Sequence, residues 1–168
     1  STPKPHPSPE VLQPRAGAGL AMRQDSLEAA ARAVDQVREG LAGDRPSIVF
    51  MFFTTHHVHM ARALATSIRE ALSPQILVGV SGEGVAGGET ELENAPGLSL
   101  LGLSLPGVEM RAFRTDQWPA MKEPPDDEHV LRDIAASAGI GPEYRGTILL
   151  ADPFSVPMNA ILPALVRA

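Results

Sequence analysis

The residues that could do chemistry gather in two stretches. One is ILVGVSGEGVAGGETE, residues 76–91, where an apolar run opens into glycines around Ser81 and Glu83. Within it, GEGVAG fits G-x-G-x-x-G, the turn that lays backbone amides on a dinucleotide's pyrophosphate, and GVSGE nearly fits the G-x-S-x-G elbow of serine hydrolases. The other is TTHHVHM, residues 54–60, which sets Thr54 and Thr55 beside His56, His57 and His59. A dinucleotide turn must open a helix and be followed by an acid at the end of the next strand. GGETELENAPG instead places glycines, an asparagine and a proline where that helix should run, and the residue twenty after Gly82 is Gly102. No cofactor is therefore expected. The elbow lacks its second glycine, since Glu83 stands there, and again no helix follows. A hydrolase with Ser81, Thr54 or Thr55 as nucleophile, and a base from His56, His57, His59 or His129, stays open as an alternative. His56 and His59, three apart, have a usable ligand spacing on a helix, but no HExxH or comparable set completes a metal site. No metal is expected. The histidines read as the partly exposed first turn of a helix, where the positive dipole end favours a neutral imidazole.

The elements that must carry these residues can be read from periodicity. From Asp25, the residues Leu27, Ala30, Ala31, Val34, Val37 and Leu41 recur at helical spacing behind Ser26 as a cap, with Gly43 as a stop. SIVFMFF (47–53) is apolar without alternation, as in a strand covered on both faces, so its Phe and Met side chains are core. The next segment places Val58, Ala61, Leu64, Ala65, Ile68 and Leu72 on one stripe, with Thr54 or Thr55 as its cap and an end at Ser73-Pro74. Residues 75–80 form a second buried strand, giving a β-α-β unit and a parallel pair. GLSLLGLSL (97–105), Pro106-Gly107 and VEMRAFR (108–114) read as an antiparallel hairpin. A polar, proline-rich loop leads to a helix over 129–138 that turns Val130, Leu131, Ile134 and Ala138 inward. GTILLA (146–151) reads as a further buried strand, and 156–166 as a last helix kinked or shortened by Pro163. Asp152, in the Asp-Pro-Phe between them, could cap that helix or turn the chain. The fold class is α/β in the mixed α+β sense: a mixed, mostly buried sheet of about five or six strands flanked by helices.

Bulk properties narrow the function classes. At 168 residues and 43% hydrophobic content, the chain can bury one core but not two independent ones. Residues 1–16 (STPKPHPSPEVLQPRA) are proline-spaced and read as a flexible leader, with 17–168 as a single domain. The formal charge of -6 comes with no cluster of Lys and Arg, which argues against nucleic acid as a partner. No apolar run approaches the roughly 20 residues that span a bilayer, so no membrane association is expected, and the expected location is the cytoplasm. With no cysteine, the chain can form no disulfide, thiolate zinc site or cysteine nucleophile.

Three pieces in order, FMFFTTHHVHMARAL, then ILVGVSGEGVAGGETELE followed by PGLSLLGLSLPGVEMRAFR, then ILLADPF, resemble the N-terminal half of the FIST family. These are sensory and signal-transduction domains of bacteria and of some eukaryotic F-box proteins. The resemblance covers about residues 20–165. It implies that the glycine segment is a turn beside a small-ligand pocket, in a domain that binds small molecules such as amino acids and passes a signal to a partner. That partner would be the family's C-terminal domain or a separate signalling protein. Family members continue further, so the domain is expected to be incomplete at its C-terminal end, and exposed sheet edges would then favour homo-oligomers. Because open sheets bind at the carboxyl ends of their strands, the expected site is Ser81, Gly82, Glu83 and Gly84, joined by Thr54, Thr55, His56 and Asp152 from neighbouring strand ends. Glu83 or Asp152 would pair an amine, and bare loop amides would hold a carboxylate. Besides a sensor and a hydrolase, a protein interaction scaffold is the third reading.

Overall fold

In the computed structural model, residues 13–118, 126–152, 154 and 156–168 are described. The chain divides into two compact units, Ser1–Val108 and Glu109–Ala168. The leader expected over 1–16 lies outside the described residues up to position 12, and a strand already begins at Arg15.

The first unit runs β1 (Arg15–Ala21), α1 (Ser26–Leu41), β2 (Ile48–Thr54), a 3-10 turn (Thr55–Met60), α2 (Ala61–Leu72), β3 (Ile76–Gly82), β4 (Gly84–Gly87), β5 (Thr90–Glu93) and β6 (Leu98–Ser104). Four of these strands form one sheet in the order β1-β6-β2-β3, and β4 and β5 form a separate two-stranded sheet. β2 and β3 run parallel, as the β-α-β reading requires, whereas β6 is antiparallel to both β1 and β2. The result is a mixed α+β architecture with open sheets.

Register puts Val49, Met51 and Phe53 of β2 on the same face as Leu98 and Leu100 of β6. Against that face pack Ala29, Ala30, Ala33, Val34, Val37 and Leu41 of α1 and Leu64, Ile68 and Leu72 of α2, forming one core. Asp25, not Ser26, caps α1, its carboxylate accepting from Glu28 N at 2.8 Å. The helix is also rolled relative to the expected stripe. Leu27 and Ala31 face solvent, and the alanine face sits on β1.

That roll follows from β1 itself, which periodicity does not reveal because RAGAGLA offers small side chains in place of β-branched ones. A Cβ at Gly17 would lie 2.1 Å from Val37 O, and one at Gly19 would lie 2.2 Å from Ala33 O. Helix backbone therefore rests directly on strand backbone. Gln36 of α1 also accepts from Leu20 N and donates to Leu20 O, both at 3.1 Å, which satisfies part of this edge strand's open backbone.

Further expectations change in the structure. The strand read as buried over 75–80 is the sheet edge, β3, and none of its residues is fully buried, because no strand among the described residues pairs on its outer side. The hairpin at Pro106-Gly107 does not form: after β6, residues 108–114 are not a strand, because β6 is already paired on both sides by β1 and β2. GTILLA forms no strand either, and Ile148 is 68% exposed. An apolar run becomes a strand only where an open edge receives its backbone, and none pairs with it among the described residues. Finally, the turn after β2 is 3-10 before α2 begins, which leaves Val58 exposed.

The second unit contains a 3-10 turn at Thr115–Gln117, α3 (Glu128–Ala138) and α4 (Met158–Arg167). Asp127 caps α3, accepting from His129 N at 2.8 Å, and Gly139 closes it in the left-handed region. Ile134 and Ala138 are buried on α3, and Ala160, Ile161 and Ala164 on α4, which continues through Pro163. Phe113 stacks on Trp118 with centroids 5.3 Å apart, and Trp118 Nε1 donates to Ser137 Oγ at 2.7 Å. The proline-rich loop falls largely on 119–125, outside the described residues. No helix among the described residues is long and apolar enough to cross a membrane.

Candidate functional site

The carboxyl ends of β2 and β3 lie side by side, with Phe53 opposite Ser81 and Thr54 opposite Gly82. This juxtaposition follows from the parallel crossover: both chains leave the sheet at the same end, one into the histidine turn and the other into the glycine segment. Thr55, His56, Ser81, Glu83 and Gly84 are exposed there, and Gly82 is half-buried.

The glycine segment is not bare loop. It forms β4, paired antiparallel with β5 through Gly84–Glu93, Val85–Leu92, Ala86–Glu91 and Gly87–Thr90. Gly88, first of the two connecting residues, has φ +59°, a conformation glycine adopts without strain. Val85 is buried, and a Cβ on Gly97 would approach Val85 Cγ2 to 2.8 Å and Leu92 Cδ1 to 3.1 Å, so the hairpin's apolar side rests on that glycine. Ser99 Oγ donates to Ala86 O at 2.7 Å and holds the hairpin to β6. Glu91 and Glu93 of β5, Glu89 of the connecting turn and Glu83 just before β4 are all exposed.

Thr54 is the hinge of this arrangement. It is fully buried; its N–H donates to Gly97 O at 2.9 Å, and its Oγ1 accepts from Gly97 N at 3.0 Å. Oγ1 also lies 3.3 Å from His56 Nδ1. The side chain thus serves the protein's own backbone more than a ligand. Thr54→Val keeps the shape but leaves the Gly97 N–H buried without its acceptor, and should cost about 1–3 kcal/mol. Urea unfolding checks this, with Thr54→Ser expected close to wild type.

The three histidines separate. His56 and His59 are exposed, but His57 is fully buried, contrary to the expectation of a partly exposed group. Helical spacing cannot foresee this, because the turn is 3-10 and swings the middle histidine inward. His57 Nδ1 lies 2.8 Å from Ser26 Oγ, and no group among the described residues hydrogen-bonds Nε2. Burial lowers its pKa first, then the neighbouring His56 and His59, while Asp25 pulls the other way. Among the described residues the hydrogen bonds of histidine with a hydroxyl are those of Ser26 and Thr54, both buried, and none joins Ser81 to a histidine. No group of three or more His, Cys, Asp or Glu side chains among the described residues could hold a metal.

Asp152 belongs to the second unit, where its carboxylate accepts from Phe154 N at 3.0 Å; Pro153 lies outside the described residues. The roles that reasoning from sequence missed are those of Gly97 and Ser99, which anchor the hairpin, and of Ser26, read as a helix cap, which anchors the histidine turn. Nothing in their local sequence signals those distant partners.

Residues 47–168 match the FIST N domain. The chain is also similar to the uncharacterized protein Rv0628c of Mycobacterium tuberculosis, at 27% identity over 158 residues covering 90% of this chain and 37% of that protein. The uncharacterized protein Mb0898c of Mycobacterium bovis is 24% identical over 153 residues, covering 88% of this chain and 36% of its own length. The chain thus spans little more than a third of these relatives. With a β-α-β core, a glycine hairpin at its strand ends and a family match over most of its length, the chain belongs to the FIST family of signal-transduction sensory domains.

Proposed function

We propose that this chain senses a small amine-bearing metabolite, of which amino acids are the leading class, at the carboxyl ends of β2 and β3. The observation that supports this reading is the in-register pairing of Thr54 with Gly82, from which Thr55 and His56 follow one strand and Glu83 and Gly84 the other at the same end of the sheet. Open sheets offer such strand ends to ligands because backbone and side chains from two elements converge there. Glu83 is the group that pairs the amine, with Glu93 of β5 opposite the adjoining Gly84 as a second nearby acid. The hydroxyls of Ser81 and Thr55 and the ring of His56 are the donors for the ligand's carboxylate. A partner protein or a further domain receives the signal, and the place of action is the cytoplasm.

A ligand that binds the folded state raises its stability by RT ln(1 + [L]/Kd), about 2.7 kcal/mol at a hundredfold excess over Kd. Thermal-shift titration with the twenty amino acids should give a concentration-dependent rise in Tm for at least one. Glu83→Gln should abolish that rise and leave the ligand-free Tm unchanged, since Glu83 is exposed. A flat response to every compound, or an undiminished response in Glu83→Gln, would sink the proposal.

A further inference from the structure

We propose that the Ser26–His57 contact is an acid-released latch that holds the histidine turn, Thr55–Met60, against the start of α1. The two side chains meet at 2.8 Å across 31 positions of sequence, both are buried, and Nε2 of the ring has no hydrogen-bonding group among the described residues. A neutral imidazole suits this seat best with its proton on Nδ1, donating to the serine hydroxyl and leaving only an unfilled acceptor at Nε2. The imidazolium does not. It must donate from both nitrogens, and a charged N–H at Nε2 would be buried with no acceptor among the described residues.

The surrounding charges make the latch directional. His56 and His59, on the same turn, oppose a cation on the ring, and Asp25, at the cap of α1, favours one. β2 (IVFMFFT) and β3 (ILVGVSG) carry no ionisable side chain, and α2 carries Arg62, Arg69 and Glu70, none of which is among the charges acting on the ring. The positive end of the α1 macrodipole adds to the opposition. Burial, the largest influence, holds the seated ring below the ordinary imidazole range near 6.5. A released ring therefore binds a proton that the seated one refuses. The contact is at full strength above about pH 6.5 and weakens as pH falls from there through the seated ring's own pKa. Thr55 and His56 ride on the same turn, but the latch stands whether or not they bind a ligand.

Amide and histidine-ring NMR of the whole chain, titrated from about pH 8 to about pH 5, tests this over the range where histidine changes charge. Amides of 55–60 and of 25–29 should move together with one midpoint, below 6.5 and equal to that of the His57 ring, while β1 and β6 stay still. In Ser26→Ala the turn should still respond and the α1 amides should no longer follow. The wild-type titration stands alone if the variant does not fold. A His57 ring titrating like a solvated one, α1 amides that stay flat while the turn moves, or loss of all signals in a single global step would each overturn the latch.

Discussion

Gly17→Ala should destabilise the chain by about 3 kcal/mol or more, at the upper end of what an overpacked contact costs and large against the 5–15 kcal/mol of an ordinary domain. The added methyl would sit 2.1 Å from Val37 O and 2.9 Å from Val37 C, where ordinary contact begins at 3.4 Å. Both atoms are backbone in the middle of a helix, so no side chain can swing away. The same patch is closed from the helix side, since a Cβ on Gly40 would lie 2.5 Å from the Gly17 Cα. Relief requires α1 to lift off β1, which uncovers Ala33, Val34 and Val37, all buried. Urea unfolding should show a lower midpoint with an unchanged slope. Gly146→Ala is the control: nothing lies within 4 Å of its added carbon, and removing a glycine there should be neutral or slightly stabilising. Equal stability of Gly17→Ala and wild type would refute the backbone-on-backbone seat of α1.

Leu98→Ala should cost about 2–5 kcal/mol, the range for emptying a leucine's volume from a close-packed core. Leu98 is fully buried and stands opposite both Phe53 and Ala21 in the sheet. Three rigid elements meet there, so collapse of the cavity is limited and the loss should fall in the upper half of the range. Leu98 also follows Gly97 directly, so its truncation should loosen the seat of the β4–β5 hairpin. Leu27→Ala, at a position 46% exposed on α1, should change stability by no more than about 0.5 kcal/mol. A small effect at Leu98 would mean that the core is not organised around β6.

Much of the first unit was legible from local pattern. The 3.6-residue recurrence that marked α1 and α2 is the same regularity that buries Val34, Val37, Leu64 and Ile68. The unbroken apolar run of β2 announced a central strand, whereas the similar run of β3 belongs to an edge strand with no fully buried residue. The helix between them forced a parallel pair, which is why Thr54 and Gly82 could be expected as neighbours. β1 was illegible for a physical reason. Its glycines exist to let a helix backbone approach, so it lacks the branched side chains by which strands are recognised. The Pro106-Gly107 hairpin misled because turn chemistry is local, whereas β6 finds both partners, β1 and β2, far away in the chain. The glycine segment was legible as the element at the strand ends. Its pairing into a hairpin over Gly97 was not, since Val85 and Leu92 are the one large apolar residue of each short strand.

What the order of residues determined by itself is the set of elements with strong periodicity, the crossover that brings two strand ends together, and the family. Those depend on spacing along one segment at a time. What only the tertiary structure decided is which hydroxyl meets which histidine and which histidine loses its water. Ser26 and His57 are 31 positions apart, and Thr54 and Gly97 are 43 apart. Such pairs are selected by how helices and strands pack, and burial turns an ordinary imidazole into one that resists protonation.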